Sequence, residues 1–385
     1  MKGVQFSRIF VSVNEKIVIA RSEWLRLVIL GCLALIISLF SLFPAAVEKG
    51  YSVGLYPYIS LILRVITRWI PFSIGDIGYS VLLIILVIRV LKLARIIIKK
   101  QYSKALFGYF CYRLVTFLLW VYIIFKLIWA LNYDRLGIAY QLSISPQPYT
   151  KEEVTSLTNQ LIDKVNTYRK QLPDTVLKEK NLETIYAEAF RSYQNASTGF
   201  PFLQYRNLSV KGSLFSGIGD YLGFSGYYNP FTGEAQVRTD IPRVLIPYIT
   251  CHEMAHQLGY ASESEANFVG YIAASSSKDP YFLYSVYLDL FSYAQGEEIF
   301  LYGKDKDYTQ FAAVIRQNRL RLDTLVKLDR RAIREFFNKR KNSISPAVSN
   351  LYDQYLKLNK QSAGVNSYNE VIGWLIAYQK KYGKI

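Results

Sequence analysis

A run of twenty residues without a charge, LVILGCLALIISLFSLFPAA (Leu27 to Ala46), limits what this chain can fold into more than any other feature. A helix of that length rises about 30 Å, which is enough to cross the hydrocarbon core of a bilayer. No short apolar core with a small-residue cleavage site lies behind it, so we interpret the run as an uncleaved anchor rather than a signal peptide. The whole chain is 51% hydrophobic, which also favours membrane segments.

Two further apolar runs follow before residue 132. One becomes basic beyond Leu91, and the other is interrupted only by Lys126. Each is long enough to form a transmembrane helix. The sequence therefore predicts three spans within a membrane region of residues 24–135: about 27–46, 74–91 and 114–131.

The distribution of the net charge of +17 predicts the orientation of these spans. Basic residues cluster before the first run and between the second and third, whereas the connection between the first two holds only Lys49, Arg64 and Arg68. By the positive-inside rule, the N-terminal segment of residues 1–23 is cytoplasmic and the chain after residue 132 lies outside. Because membrane topology accounts for much of the basic excess, we expect no nucleic-acid partner.

Residues 136–385 have the composition of a globular domain that is α+β and mostly helical. After YTKEEV, where Thr150 and Glu153 have the spacing of a capping box, apolar residues recur at helical intervals. The stretch FSGYYNPFTGEAQVRTD predicts two short strands joined by a turn. A long basic helix over 307–339 is interpreted as a solvated face, with attraction to membrane phosphates as the alternative. The three cysteines offer no disulfide framework.

The only two histidines of the chain lie four residues apart in CHEMAHQLGYASESEANFVG. On a helix, residues i and i+4 share a face, so His252 and His256 can present both imidazoles to one ion. Glu253 lies between them and can polarise a water molecule at that ion, which is the HExxH arrangement of zinc peptidases. Pro247 suits the first turn of the helix, and Gly259 suits its end.

A catalytic zinc ion usually has three protein ligands, and without a third histidine the third is expected to be a carboxylate. Glu263 and Glu265 are the candidates. Ser262 and Glu265 have the spacing of a capping box, which would engage Glu265 with backbone and leave Glu263 free to bind the ion. We therefore predict Glu263 as the ligand and keep Glu265 as the alternative. Cys251, on a different helical face, is interpreted as a packing residue.

Four other polar residues are candidates for places near this site. Asn267, four residues after Glu263, is placed to hydrogen-bond a histidine as a supporting residue. Tyr227 and Tyr228 lie on the predicted strand pair, where an edge strand can pair with an extended peptide; packing of the sheet is the alternative. Tyr368 follows a glycine turn, so its phenol could reach an oxyanion, and a role in the core is the alternative.

The two segments HEMAH and ESEAN resemble the gluzincin pattern HExxH…ExxA(D/N). In that pattern the glutamate of the second motif is the third zinc ligand, so the resemblance implies this role for Glu263. The segment between His256 and Glu263 is shorter than in most gluzincins.

A second resemblance covers nearly the whole chain. Three apolar runs, then GYYNPFTGEAQV, the histidine segment and YDQYLKLNKQSAGVNSYNEVIGWLIAY resemble the uncharacterised bacterial family called domain of unknown function 3810. The resemblance implies a bacterial inner-membrane protein, multi-pass, with a zincin-like domain after the membrane region on the periplasmic side. It implies no substrate.

The predicted function is that of a membrane-anchored zinc metallopeptidase. One Zn²⁺ is held by His252, His256 and Glu263, and Glu253 acts as general base on a zinc-activated water. The expected partners are the bilayer and peptide or protein substrates of the envelope. One alternative is a non-catalytic membrane scaffold or partner-binding protein with a structural zinc site, and another is hydrolysis of a non-peptide amide. The sequence leaves the oligomeric state open.

Overall fold

The computed structural model describes residues 21–99, 103–173, 180–304, 308–361, 364 and 370–385. Most of the predicted cytoplasmic segment 1–23 lies outside these residues. The chain divides into two compact units. The first comprises the described residues up to Phe43 and Ile77–Ile128, and the second comprises Pro44–Asp76 and Trp129–Ile385. Residues 44–76, which the sequence analysis assigns to the membrane region, therefore belong to the same unit as the large C-terminal part.

The first unit consists of long apolar helices whose side chains are mostly exposed. Its helices lie within Arg21–Phe40, Ile74–Ile98 and Lys104–Ile128. The first and last pack against each other, with Ser38 Oγ 2.6 Å from Tyr122 OH. Two segments are long and apolar enough to cross a membrane, Arg21–Phe40 and Leu106–Ile128, and only 11% of each apolar window is buried. That exposure distinguishes them from the core helices of a soluble domain.

The structure supports two candidate spans rather than the predicted three. Ile74–Ile98 is helical but is not among the candidates. Its second half carries basic residues from Arg89 onward, and charged side chains are costly in hydrocarbon. The first helix ends at Phe40, before the predicted end of its span, because Pro44 disfavours helical backbone at the residue before it.

The second unit is mostly helical, as the sequence predicts. Its longest helices run over Tyr56–Thr67, Lys151–Arg169, Leu182–Gly199, Ile246–Gln257, Glu263–Ser275, Pro280–Lys304, Tyr308–Arg321, Thr324–Asn338, Ser345–Leu358 and Val371–Tyr382. Shorter α-helices cover Gly137–Leu142 and Gly219–Leu222, and a π-helix covers Val47–Leu55. The capping box at Thr150 and Glu153 is formed, with each backbone N–H donating to the other side chain.

The predicted basic helix over 307–339 is two helices. Tyr308–Arg321 ends, and Asp323 then caps the next helix by accepting a hydrogen bond from Leu325 N at 3.0 Å. A side-chain acceptor at this position stabilises a helix start. The helix Thr324–Asn338, here called the basic helix, is therefore a separate element whose axis is not fixed by that of Tyr308–Arg321.

A three-stranded sheet has the order β1–β3–β2, with β1 Val210–Gly212, β2 Gly226–Asn229 and β3 Glu234–Val237. β2 and β3 form the predicted antiparallel hairpin, with Tyr227 opposite Gln236. β1 is parallel to β3 and has only three residues, too few for a recognisable alternation. β2 is an edge strand of this sheet.

The helix Ile246–Gln257, here called the motif helix, lies in the core, with nearly every residue buried. It packs against β2, β3 and the helix Glu263–Ser275, here called the ligand helix. The last carbonyls of a helix lack partners within it. The hydroxyls of Tyr56 and Ser60 donate to Gln257 O at 3.2 and 2.7 Å, so the segment 44–76 fixes the end of the motif helix.

Candidate metal centre

The end of the motif helix orients the His256 ring. Gly259 follows the helix with a φ of +91°, a conformation that favours glycine, and a β-carbon there would lie 2.9 Å from the Tyr56 ring. The turn brings Tyr260 O within 2.7 Å of His256 Nδ1. Because a carbonyl only accepts, Nδ1 carries the proton, and Nε2 keeps its lone pair for a ligand.

The ligand helix approaches the motif helix closely at His252. A β-carbon at Gly270 would lie 3.1 Å from both Cα and N of His252, which is tighter than an ordinary contact. Glycine at this position therefore permits the approach of the two helices. Glu263, the first residue of the ligand helix, is brought to the histidines by this packing.

The side chains of His252, His256 and Glu263 converge. His252 Nε2 lies 3.1 Å from His256 Nε2 and 3.2 Å from Glu263 Oε2, and His256 Nε2 lies 3.7 Å from the same oxygen. A tetrahedral ion with bonds of about 2.0–2.1 Å requires ligand atoms about 3.3–3.4 Å apart. All three residues are buried. The donor set and its spacing therefore fit a zinc-sized cation.

The electrostatics of this cluster favour positive charge between its members. Burial alone would lower the pKa of His256, but the hydrogen bond and charge of Glu263 raise it to about 9. Burial alone would raise the pKa of Glu263, but the two histidines hold it well below its ordinary value. Without a metal ion, Glu263 is therefore ionised near neutral pH and His256 carries a second proton at Nε2, the position that a metal ion would take from it.

Two residues far along the chain support Glu263. Tyr352 OH donates to Glu263 Oε1 at 2.7 Å, and Gln361 Oε1 accepts from the backbone N–H of Glu263 at 2.9 Å. Both lie about a hundred positions beyond the motif, in the segment YDQYLKLNKQSAGVNSYNEVIGWLIAY that carries part of the family resemblance. Nothing in that segment indicates that these two side chains contact Glu263, so neither residue is among the predicted site residues.

Glu253 has the properties of a proton acceptor. Its side chain is buried beside the histidines, and burial raises its pKa to about 7, against the lowering influence of the imidazoles. Oε2 makes no hydrogen bond with the described residues. A β-carbon at Gly226 of β2 would lie 2.6 Å from Oε1, so the edge strand passes directly over this carboxyl group.

Glu265, the alternative ligand, lies elsewhere. Its Oε1 accepts a hydrogen bond from Ile138 N at 2.8 Å, and a β-carbon at Gly137 would collide with it. The expected capping box with Ser262 is not formed, since Ser262 makes no cap hydrogen bond and its Oγ lies 3.1 Å from Ser264 Oγ. Glu265 is engaged with backbone as predicted, but with a different helix.

The other predicted site residues are distributed around the centre. Asn267 hydrogen-bonds with Tyr293 and lines the same cavity as His252; its support of a histidine stays a prediction. Tyr227 also lines that cavity, but its hydroxyl donates to Asp76 Oδ1 at 2.7 Å. Tyr228 packs its ring 4.7 Å from the Trp129 ring, which matches the packing alternative.

Tyr368 and Cys251 are the two remaining residues for which the sequence predicts a role or a place. Tyr368 lies outside the described residues. Cys251 is fully buried, and burial raises the pKa of its thiol, so it packs in the core as interpreted.

A cavity of about 1220 Å³ borders the centre. His252 and Glu253 form part of its lining, as do Gly226 and Tyr227 of β2. The basic helix supplies much of the remainder. Space for an extended substrate therefore lies beside both the candidate ligands and the candidate base.

The fold and the centre define a mostly helical protein with long apolar helices and a buried cluster of two histidines and one glutamate. The family model described as "Protein of unknown function (DUF3810)" matches residues 51–376, and the chain belongs to this family. No curated protein and no solved structure matches the chain.

Proposed function

We propose that this protein is a membrane-anchored zinc metallopeptidase. The proposal depends on one observation: His252, His256 and Glu263 converge at tetrahedral spacing beside Glu253, whose Oε2 has no hydrogen-bond partner among the described residues. A structural zinc site has no need of such a carboxylate. A catalytic site requires a base at this position.

The residues of the chain would have two roles, metal binding and proton transfer. His252 Nε2, His256 Nε2 and Glu263 Oε2 would hold the ion, which when bound supplies a Lewis acid for a water molecule and a carbonyl group. Glu253 would take a proton from the attacking water and deliver it to the leaving amine. Its pKa of about 7 suits both halves of that transfer near neutral pH.

The neighbouring strand supports a peptide substrate. β2 has no strand partner on its outer side within the described sheet, and it crosses Glu253 at Gly226. An extended peptide can add to such an edge through main-chain hydrogen bonds. This would bring a scissile amide next to Glu253.

Chain connectivity constrains which helices would cross the membrane. Residues 44–76 and 129–385 form one compact unit, so the chain between them has to return to the side of the membrane that it left. If Leu106–Ile128 crosses, the helix Ile74–Ile98 must cross as well, with its basic end near the lipid headgroups. By the positive-inside rule, the basic connection between these two helices would be cytoplasmic and the second unit periplasmic.

The helix Tyr56–Thr67 also favours a lipid neighbour. Its polar residues, among them Ser60 and Arg64, are buried, whereas Ile62 and Ile66 are about 60% exposed. This is the reverse of an ordinary surface helix. Apolar faces of this kind lie in the headgroup region of bilayers.

Metal content and activity of the full-length protein in detergent test the proposal. We expect one zinc per chain in the wild type and in Glu253→Gln, and none in His256→Ala. Hydrolysis of an unstructured protein should fall about a thousandfold in Glu253→Gln, since a general base contributes roughly 10²–10⁴-fold. Glu183→Gln, which changes an exposed carboxyl group in the first turn of the helix Leu182–Gly199, away from the cavity, is the matched control.

Two results would contradict the proposal. A wild type without metal would remove its basis. A Glu253→Gln variant that loses zinc or unfolds would favour the non-catalytic alternative with a structural metal.

A further inference from the structure

One wall of the cavity beside the metal centre is strongly basic. Five basic side chains contribute to its lining: Arg319, Lys327, Arg330, Arg331 and Arg334. Among the described residues that line it, the only carboxylates are those of Glu253 and Asp289, and both lie near His252. The charge of the cavity away from the centre is therefore entirely positive.

Most of these cations form no ion pair with a carboxylate among the described residues. Arg331 pairs with Glu335 on the exposed side of the basic helix. The other four form no ion pair with the described residues. Arg319 lies on the preceding helix Tyr308–Arg321. The other three, Lys327, Arg330 and Arg334, are three or four residues apart on the basic helix and therefore share one face. A wall of unneutralised cations attracts anions into a cleft.

Arg330 is the most confined of the four. Its guanidinium lies 4.5 Å over the Phe291 ring and donates to Gln295 Oε1 at 2.6 Å. Burial, with the nearby charge of Arg334, lowers its pKa to about 10. A half-buried guanidinium without an acid partner is costly, and a carboxylate accepts two parallel hydrogen bonds from it. Phe291 and Gln295 hold this fork in one orientation.

We propose that this basic wall is a specificity site for acidic peptides, in which Arg330 binds a carboxylate side chain of the substrate. The proposal rests on the proposed function, because it treats the cavity beside His252 as the substrate cleft. A cavity of about 1220 Å³ measures roughly 13 Å across, the length of about four extended residues. The acidic residue is therefore expected within about four positions of the scissile bond.

Equilibrium binding to full-length Glu253→Gln tests this without requiring hydrolysis. The probes are matched ten-residue peptides that differ only in Glu, Gln or Lys at one position, measured by calorimetry in detergent. We expect the Glu peptide to bind about tenfold more tightly than the Gln peptide, and the difference to shrink as salt is raised. The Lys peptide should bind most weakly.

Substitutions on the wall then identify the residue responsible. Adding Arg330→Gln should reduce the Glu-to-Gln ratio to about one. Arg334→Gln, at a more exposed position, should reduce it partially and serves if the Arg330 variant does not fold. Arg316→Gln removes an exposed arginine that does not line the cavity and should leave the ratio unchanged.

The outcomes separate this proposal from the proposed function. Equal binding of the Glu and Gln peptides, with neutral peptides hydrolysed by the wild type, overturns the specificity site and leaves the peptidase intact. Preferential, Arg330-dependent binding without any hydrolysis supports the site and overturns the peptidase. If glycerol phosphate binds in an Arg330-dependent manner and the Glu peptide does not, the wall binds phosphate headgroups and the proposal is overturned.

Discussion

Two buried polar clusters each contain a glutamate from the same short stretch of chain, and they differ in how the buried negative charge is compensated. Glu263 belongs to the metal centre, and Glu265 belongs to a second cluster with Arg135 and Glu48, here called the arginine cluster. In the arginine cluster, Arg135 forms two hydrogen bonds to Glu48, at 2.7 and 2.9 Å, with both side chains almost fully buried. The chain itself supplies the permanent cation there.

The metal centre contains no such cation. Among the described residues, Glu263 forms ion pairs only with His252 and His256, which are charged only when protonated. Buried carboxylates need a compensating charge. The comparison therefore indicates that the arginine cluster is a structural element, whereas the charge of Glu263 has to be balanced by a proton on a histidine or, under the proposed function, by a metal ion.

The strongest test of the comparison removes the permanent cation. Arg135→Ala should lower the free energy of unfolding by about 3–5 kcal/mol, because it leaves Glu48 without its buried partner. Denaturant titration of the detergent-solubilised protein measures the change. Arg191→Ala, which removes an exposed pair with Glu188, should cost less than about 1 kcal/mol. Similar losses in the two variants would show that the arginine cluster is not structural.

The pH dependence of the metal-free protein should come from the metal centre. The pKa of His256 is raised from 6.5 to about 9, so its contribution to stability, roughly 3 kcal/mol, is fully present below pH 6.5 and lost as pH rises through 9. Glu253, with a pKa raised to about 7, contributes a further loss of stability between pH 4.5 and 7. Unfolding of the chelator-treated protein measures both.

His256→Asn provides the control for that experiment. It should abolish the decline in stability between pH 6.5 and 9 without altering the arginine cluster. A decline that persists in this variant would assign the pH dependence to another group.

Metal removal should act on only one of the clusters. Free zinc at about a hundred times its dissociation constant stabilises the wild type by about 2.7 kcal/mol, and a chelator should reverse this. His256→Ala should show no change with zinc or chelator. The melting temperature in each condition provides the measurement, and equal shifts in both proteins would point to a different metal site.

The smallest predicted effect concerns the support of Glu263. Tyr352→Phe removes the hydrogen bond to Glu263 Oε1 and should weaken zinc affinity about tenfold, the lower end for such supporting contacts. Tyr355→Phe is the matched control, because its hydroxyl lies 3.2 Å from that of Tyr133 instead. Competition with a zinc-binding dye measures both affinities, and equal values would show that Tyr352 does not position the ligand.

Several features of the site could be predicted because they are local. Because His252 and His256 are four residues apart, they share one face whenever the segment is helical. Glu253 is adjacent to His252 in sequence, so its position beside the pair is also set locally. The hairpin and the capping box of Thr150 are likewise set by residues within a few positions. The boundaries of the apolar helices were less accurate, since Trp129 and Leu131 are buried in the second unit rather than in a span.

The rest depended on contacts between distant parts of the chain. Tyr352 reaches Glu263 across 89 positions, and Tyr56 reaches Gln257 across 201. The basic helix was predicted to be solvated, because its sequence carries no sign that one face borders a cavity. The partner of Glu265 was predicted to be Ser262, three residues away, whereas the fold supplies Ile138.

The sequence by itself determined the histidine pair, the glutamate between the two histidines and the apolar helices, because periodicity and local hydrogen bonding act over a few residues. Glu263, which the motif pattern favours, faces the histidines, whereas only the tertiary structure shows that Glu265, two residues on, lies near Arg135. Residues two positions apart on a helix, such as Glu263 and Glu265, point to different sides of it. The elements that pack on each side therefore determine the environment of each side chain. That packing, which glycine at position 270 permits, brings Glu263 beside the two histidines of the five-residue motif.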